Sequence, residues 1–283
     1  MQVRRIGKAL GAEIKGIDLT APLSSSSLET IEHAFTENLV LVFRDQVFGS
    51  ADNFIKAAQK LGDPMPPVTA TYRLAGYDVV EELVNKPFDK RSGKKIDPRG
   101  GSWHTDHSNL PQPPKATSLY AIEIPPSGGG QTEFTNMYMA YETLPADLKK
   151  RIKGKKSFQA YQARRAPRQL LTRSDDELEN SSGTWQPLVR LHPQSKRKTL
   201  YLNPMRNDEI EGYSQEEGDS LLDQLYAHAD SPEFQYSHEW KSGDMLIWDN
   251  RCTLHQATAL RNPEERRYMH RIMLKGDVPI LAD

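Results

Sequence analysis

The sequence is poor in the features that mark several large classes of protein. It has 283 residues and a single cysteine, Cys252, which excludes an intrachain disulfide framework and a thiolate-rich zinc or iron–sulfur site. Its 37 basic and 38 acidic side chains balance, so no overall field attracts nucleic acid or a membrane surface. No apolar run approaches the roughly 18 residues that a membrane span needs. We therefore expect a cytoplasmic protein with neither a nucleic acid nor a membrane as partner; a periplasmic location stays open if a leader was removed.

The chain does contain a series of short apolar runs separated by turns. LVLVF (39–43), DMLIW (244–248) and YMHRIMLKG (268–276) are typical of strands. Apolar residues recur with helical spacing after the serines at 24–27, where a serine N-cap is expected, and again in a helix from about Ser214 to His228. Many short strands with helices outside favour a β-sandwich or barrel over alternating βαβ units.

No linker divides the chain, so we expect one domain spanning residues 1–283. The stretch from Ser157 to Gly183 is polar and rich in arginine, serine and aspartate. We interpret it as a mobile insertion between core strands that acts as a lid. An ordinary surface loop is the alternative.

The strongest local motif is Trp103-His104-Thr105-Asp106. If this segment is extended, His104 and Asp106 point to the same face and His107 points away. A histidine from a distant strand would complete a 2-His-1-carboxylate set, which leaves coordination positions open on one side of an iron(II) ion. His255, in WDNRCTLHQA, is the best candidate. A surface hydrogen bond between His104 and Asp106 is the alternative.

Two arginines follow His255 in the sequence. A 2-oxoglutarate co-substrate would chelate the iron and leave a distal carboxylate, which the planar guanidinium of Arg267 suits, and Thr132 can add a hydroxyl donor. Arg271 is four residues beyond, on the same face of a strand, and can hold an acidic substrate. Without a substrate anion, Arg271 would be left uncompensated. The alternatives are a solvated basic turn for Arg267 and an interstrand salt bridge for Arg271.

Taken together, these motifs resemble those of the taurine dioxygenase/2,4-dichlorophenoxyacetate dioxygenase (TauD/TfdA) family. The resemblance covers nearly the whole chain and includes LGAEIKGIDLTAPLS, WHTD, IPPSGGGQTEF, WDNRCTLHQA and RRYMHR. The order and spacing of these motifs also agree with the family, which is far more specific than any one of them.

The resemblance implies a mainly β fold with flanking helices, built on a double-stranded β-helix (jelly-roll, cupin-like) core. It implies an Fe(II)- and 2-oxoglutarate-dependent dioxygenase that uses O₂ to hydroxylate a small anionic organic molecule. His104, Asp106 and His255 would ligate the iron. If the hydroxylated carbon bears oxygen, nitrogen or sulfur, cleavage of that bond would follow.

The same resemblance assigns the remaining site residues. Thr132 and Arg267 would bind 2-oxoglutarate, and Arg271 falls where family members bind the substrate's sulfonate or carboxylate. The spacing from His255 to Arg267 is one residue longer than expected for the family, so Arg266 remains a rival to Arg267.

Three positions of the expected substrate pocket depart from taurine dioxygenase itself. In the stretch PMPPVTATY, a proline stands near the place of a histidine. Thr69 stands near the place of a tyrosine, and Gly100 or a neighbour replaces an asparagine. These differences argue against taurine as the substrate. A carboxylate such as an aryloxyalkanoate, or another sulfonate or a sulfate ester, fits as well or better.

Several other interpretations share parts of this pattern. A halogenase on the same fold would lack the carboxylate ligand, so Asp106 argues against it. A non-catalytic jelly-roll protein with a structural metal would need a fourth protein ligand. A zinc hydrolase with three such ligands would have no role for Thr132 and Arg267. The sequence leaves a homo-oligomer open.

Overall fold

The computed structural model describes residues 1–68, 71–85, 101–170 and 183–282, and strands dominate it. The strands are β1 (Gln2–Arg5), β2 (Ala12–Lys15), β3 (Val40–Phe43), β4 (Pro64–Met65), β5 (Glu81–Val84), β6 (Ala116–Glu123), β7 (Thr132–Asn136), β8 (Lys156–Ala160), β9 (Gly183–Pro187), β10 (Val189–Leu191), β11 (Lys198–Leu200), β12 (Asn207–Ile210), β13 (Gln235–His238), β14 (Met245–Asp249), β15 (Thr253–Ala257), β16 (Tyr268–Leu274) and β17 (Ile280–Leu281). The helices are α1 (Ser25–Asn38), α2 (Ala51–Gln59), α3 (Met137–Glu142), α4 (Ala146–Ile152) and α5 (Gln215–Ala229).

The largest sheet has the strand order β1-β2-β3-β14-β6-β16-β4, and β5 also pairs with β16. Side chains alternate between its two faces. In β3, Leu41 and Phe43 belong to one buried apolar cluster, whereas Val40 and Val42 belong to another. Because successive residues of a strand point to opposite faces, the central strands β3 and β14 are buried on both sides, which explains why they read as continuous apolar runs.

A second sheet, in the order β13-β7-β15, packs against the inner face of the largest sheet. Phe134 of β7 and Trp248 of β14 meet with ring centroids 5.5 Å apart, within an apolar cluster that both sheets share. Both sheets are antiparallel except for the parallel pair β2–β3, and two such facing sheets make a β-sandwich. The predicted mainly β architecture with flanking helices is confirmed. Between the two sheets, His255 of β15 packs against Trp248 of β14 with ring centroids 4.7 Å apart.

Helices α1 and α2 cover the outer face of the largest sheet, where Ile31 and Phe54 join its apolar cluster. The predicted serine cap of α1 is present, since the Ser24 side chain accepts from the backbone N–H of Ser27. At the start of α5, Ser214 forms a capping box that was not predicted. Among the described residues, no helix has the length and apolar character that crossing a bilayer requires.

The polar insertion is shorter than its sequence suggests. Strands β8 and β9 form an antiparallel hairpin in which Ala160 lies opposite Gly183, so the intervening loop begins at residue 161. Ser157 and Gln159 are polar but fully buried, and the Ser157 hydroxyl accepts from the amide of Asn207 at 2.8 Å. Polar residues of a buried strand were therefore included in the predicted lid. Residues 171–182 of that lid lie outside the described part of the chain.

Candidate active site

His104 and His255, the two predicted histidine ligands, are held side by side by the backbone. His255 lies in β15, and His104 pairs with it through an isolated antiparallel bridge. The backbone N–H of His104 donates to the carbonyl of His255 at 3.0 Å, and the reverse bond is 2.8 Å long. The two rings consequently lie with their centroids 4.2 Å apart.

Asp106 completes the group, although its segment is not an extended strand. The chain turns directly after His104, and His107 has a φ of 44°. Asp106 Oδ1 lies 4.0 Å from Nε2 of His104, and Oδ2 lies 3.9 Å from Nε2 of His255. The structure thus brings the three predicted ligands together through a turn and a bridge, not through the strand alternation expected from the sequence.

Burial and neighbouring charges put these three groups in the protonation states that a metal cation needs. The Nδ1 of His104 lies 2.8 Å from the carbonyl oxygen of Ser102, which can only accept, so Nδ1 carries the proton and Nε2 offers a lone pair. Burial lowers the pKa of His104 to about 3 and also lowers the pKa of His255. Burial alone would raise the pKa of Asp106, but His255 and Arg271 hold it well below its usual range. Two neutral imidazoles and one carboxylate are therefore present at neutral pH.

This donor set fits Fe(II). The ligand atoms of His104, Asp106 and His255 lie within 4.8 Å of one another, and no fourth histidine, cysteine, aspartate or glutamate of the described ranges joins them. Two imidazole nitrogens and one carboxylate oxygen form the set found in non-haem iron(II) oxygenases, with positions left for small molecules. A structural zinc site would be closed by a fourth protein ligand.

Arg267, immediately before β16, is half-buried, and no anion pairs with its guanidinium in the part of the chain that the structure describes. Its Nε is buried with no hydrogen-bond partner among the described residues, and burial lowers its pKa to about 10. Its Cζ lies 6.0 Å from the ring centroid of Trp240, whose Nε1 donates to the Thr132 hydroxyl at 3.0 Å. Because Thr132 accepts there, its own proton is available for a further acceptor. A buried cation beside a hydroxyl donor suits a carboxylate.

Arg266, the rival to Arg267, points away from this region. It is exposed, pairs with Glu123 at 2.6 Å, and lies over the ring of Tyr268 with its Cζ 4.4 Å from the centroid. The charge of Arg266 is already balanced at the surface, whereas Arg267 has a buried Nε and no anion among the described residues.

Arg271 reaches the predicted ligands, but its charge has a partner. One terminal nitrogen lies 3.9 Å from Asp106 Oδ1. Nε and the other terminal nitrogen donate to the two carboxylate oxygens of buried Glu81 at 2.6 and 2.9 Å. Glu81 lies directly opposite Arg271 in the pairing of β5 with β16, so an interstrand salt bridge is present. The expectation that Arg271 would be uncompensated without a substrate anion is therefore wrong.

Two predicted substrate-pocket residues, Thr69 and Gly100, lie outside the described part of the chain.

Three residues that hold Arg271 or Asp106 in place were not predicted: Glu81, Thr117 and Asn250. The sequence offered only weak signals for them. Glu81 occurs in a strand with a second glutamate beside it, and threonine in a strand has no pattern that distinguishes a hydrogen-bonding role from strand propensity.

A second group of possible ligands, His192, Asp249 and Cys252, is structural. All three are buried, but Arg251 donates to both carboxylate oxygens of Asp249 at 2.8 and 2.6 Å, and His192 lies 3.0 Å from one of them. Burial raises the pKa of Cys252 well above its usual value. A carboxylate already saturated by a guanidinium and an imidazole does not favour a metal ion.

A family model, curated relatives and solved structures each match this chain over most of its length. Residues 2–273 match the family model described as "Taurine catabolism dioxygenase TauD, TfdA family". A pentalenolactone F synthase of Streptomyces avermitilis is 32% identical over 99% of this chain and 95% of its own length. An alpha-ketoglutarate-dependent 2,4-dichlorophenoxyacetate dioxygenase of Cupriavidus pinatubonensis is 34% identical over 87% of this chain and 88% of its own. The crystal structure of a taurine dioxygenase from Burkholderia xenovorans superposes with a TM-score of 0.83 at 30% identity, covering 100% of this chain and 91% of that one. The predicted jelly-roll core is thereby confirmed.

Proposed function

The chain belongs to the TauD/TfdA family of 2-oxoglutarate-dependent dioxygenases, and from this premise we propose that it hydroxylates a small organic acid. In this proposal His104, Asp106 and His255 hold Fe(II), while Arg267 and Thr132 hold the distal carboxylate of 2-oxoglutarate. The observation that carries it is the combination of an open three-ligand set with an arginine whose buried Nε has no partner and which meets no anion among the described residues.

The chain's own residues prepare the site in a defined way. When bound, Fe(II) and 2-oxoglutarate supply the oxidation, in which O₂ is consumed, 2-oxoglutarate yields succinate and CO₂, and one oxygen atom enters a substrate C–H bond. Ser102 holds the tautomer of His104 that presents Nε2. Arg267 and Thr132 orient the co-substrate by a charged and a neutral hydrogen bond. The pairing with His104 keeps His255 in place, so that the three ligands need not reorganise.

The acid group of the substrate is assigned to the neighbourhood of Arg271. One terminal nitrogen of this guanidinium faces Asp106, and its hydrogens are not used by Glu81. A carboxylate, sulfonate or sulfate can accept from them while Glu81 keeps the guanidinium in position. The relative named for 2,4-dichlorophenoxyacetate supports the carboxylate, and the superposed taurine dioxygenase supports the sulfonate.

The Glu81–Arg271 pair also favours a second candidate, a substrate that presents a neutral carbonyl. Because Glu81 already balances the charge of Arg271, a neutral acceptor would leave no charge uncompensated. The relative named for pentalenolactone F supports a lactone of this kind.

The two candidates are separated by substrate-dependent succinate formation. Aryloxyalkanoates, alkyl sulfates, sulfonates including taurine, and lactones would be incubated with the enzyme, Fe(II), 2-oxoglutarate and O₂. Any active acid would then be compared with its methyl ester and its amide. We expect an acid to be turned over faster than its ester or amide. An ester or lactone that equals the best acid would favour the neutral candidate, and no succinate above the uncoupled background with any compound would contradict both.

A further inference from the structure

A chain of buried hydrogen bonds runs from the sheet to the carboxylate of Asp106. Trp248 Nε1 donates to Oδ1 of Asn250 at 3.0 Å, and Nδ2 of Asn250 donates to the Thr117 hydroxyl at 2.9 Å. The Thr117 hydroxyl donates to Oδ2 of Asp106 at 2.5 Å. All four residues are buried, so none of these groups is hydrated instead.

The direction of these bonds is fixed by their two ends. An indole N–H can only donate and an ionised carboxylate can only accept. The Asn250 oxygen must therefore face Trp248 and its amide nitrogen must face Thr117. Since the Thr117 oxygen accepts from Asn250, its single proton is directed to Asp106.

The strand register builds this chain into the fold. Thr117 lies directly opposite Trp248 in the pairing of β6 with β14, and Asn250 follows the last residue of β14. The backbone of Asn250 also contacts the segment that carries Asp106, because its carbonyl accepts from the Thr105 hydroxyl at 2.8 Å. Asn250 thus fixes the residue before Asp106 directly, and Asp106 itself through Thr117.

We propose that Thr117 and Asn250 are positioning residues that make Asp106 a single-oxygen ligand. This rests on the proposed metal site. With Oδ2 held by Thr117, rotation of the carboxylate is restrained and Oδ1 is left as the metal-binding oxygen. A carboxylate that bound through both oxygens would occupy one of the positions that the co-substrate and O₂ require. Hydrogen-bond partners of metal ligands typically change metal affinity by about 10–100-fold when they are removed.

The neighbouring residue Ser118 provides a matched control. Its hydroxyl is equally buried, lies on the same strand and donates to the carbonyl of Leu246 at 2.8 Å. It points to the opposite face from Thr117. Ser118→Ala therefore removes a buried hydrogen bond of the same sheet that has no link to Asp106.

The test uses the full chain without bound metal and three variants: Thr117→Val, Thr117→Ser and Ser118→Ala. Anaerobic calorimetric titration with Mn(II) gives the affinity, the absorption spectrum of the Co(II) form reports coordination geometry, and thermal unfolding of the metal-free protein reports stability. We expect Thr117→Val to bind Mn(II) at least about ten-fold more weakly, with an altered Co(II) spectrum. The Mn(II) affinities of Thr117→Ser and Ser118→Ala should stay within about two-fold of the wild-type affinity, whatever the Tm of these variants.

The outcomes separate this inference from the proposed function. If the wild type binds the metal and Thr117→Val has the same Mn(II) affinity and the same Co(II) spectrum, the positioning role is overturned. An equal loss of metal affinity in Ser118→Ala would overturn it too, because the effect would then follow stability. Failure of the wild type to bind Mn(II) or Co(II) would instead contradict the metal site itself. If Thr117→Val does not fold, Thr117→Ala is judged by the same two readouts.

Discussion

At the scale of single residues, Arg267 is the most informative side chain of the site outside the metal ligands. Its half-buried guanidinium meets no anion in the described part of the chain, and its only balancing charge in the proposed function is the co-substrate. Hydrogen bonds to charged groups contribute roughly 1.5–3 kcal/mol, or about 10–100-fold in affinity. We expect Arg267→Ala to raise the KM for 2-oxoglutarate by that factor, measured by succinate formation at saturating substrate.

Arg266→Ala is the matched control, since this neighbouring arginine is exposed and pairs with Glu123. Its KM for 2-oxoglutarate should stay within about two-fold of the wild type, because exposed ion pairs contribute about 0–1 kcal/mol. A raised KM for 2-oxoglutarate in Arg266→Ala, together with an unchanged KM in Arg267→Ala, would show that the co-substrate carboxylate binds elsewhere.

Glu81 sets how strongly Arg271 favours an anion. Glu81→Gln removes the balancing charge but keeps a hydrogen-bonding side chain beside the guanidinium. We expect the preference for an acid over its amide, measured as the ratio of kcat/KM values, to rise about ten-fold, in line with the net value of a charged hydrogen bond. Glu82→Gln alters the next residue of β5, whose carboxylate lies on the His270 side, and should leave the ratio unchanged. A ratio that does not move in Glu81→Gln would remove Arg271 from substrate recognition.

The proposed metal ligands and Arg267 could be proposed from the sequence because their chemistry restricts the residue types. Few combinations other than His-x-Asp with a distant histidine supply an open iron site, and only a guanidinium stays charged when buried. Glu81, Thr117 and Asn250 could not be predicted in the same way. Their roles depend on which strand lies beside which, and on a register that one sequence does not give.

At the scale of secondary structure, the loop after β8 is the element most open to test. Its residues 161–170 are joined to α5 by three ion pairs. Arg164 contacts both oxygens of Asp219, Arg165 contacts both oxygens of Asp223, and Arg165 also lies 3.5 Å from Asp219. Arg168 of the same segment lies near enough to His104 to contribute to the lowering of its pKa. This placement supports the lid interpretation of the segment.

We expect limited proteolysis within 161–170 to slow when Fe(II), 2-oxoglutarate and substrate are bound together. The double variant Arg164→Ala/Arg165→Ala should be cut several-fold faster while its Tm falls only slightly, because each exposed pair contributes about 0–1 kcal/mol. Arg197→Ala, which breaks an exposed pair with Glu142 outside the segment, is the control for general loosening. Cleavage that is insensitive to the ligands would leave the segment an ordinary surface loop.

Elements whose sequences show one clear pattern of apolar residues were predicted well. Strands in which polar and apolar residues are mixed without such a pattern were not. The apolar runs of β3, β14 and β16 and the capped helices α1 and α5 are present where their patterns indicated. β8 was assigned to the insertion because a strand buried among hydrogen-bonding partners can be polar. β15 was not recognised as a strand of its own, although it carries His255, since TLHQA has no clear alternation.

At the scale of the whole molecule, buried histidines link stability to pH. Burial lowers the pKa of three histidines outside the metal site: His192, His238 and His270. The unfolded chain binds protons at these positions below about pH 6.5, whereas the folded chain resists them, so stability must fall as pH falls. Each group contributes at most about 1.4 kcal/mol per pH unit. Chemical denaturation of the metal-free protein should give a free energy of unfolding that decreases from pH 7 to pH 5. An increase over that range would contradict the direction of these shifts.

The whole site is tested most directly by anaerobic titration of the metal-free protein with Fe(II) in the presence of 2-oxoglutarate. We predict one weak visible charge-transfer band that saturates at one Fe(II) per chain, because 2-oxoglutarate would chelate the iron held by His104, Asp106 and His255. His255→Ala should show no such band while keeping a cooperative thermal transition, and Arg267→Ala should need more 2-oxoglutarate to develop it. No band in the wild type, or an undiminished band in His255→Ala, would contradict the proposed iron and 2-oxoglutarate site.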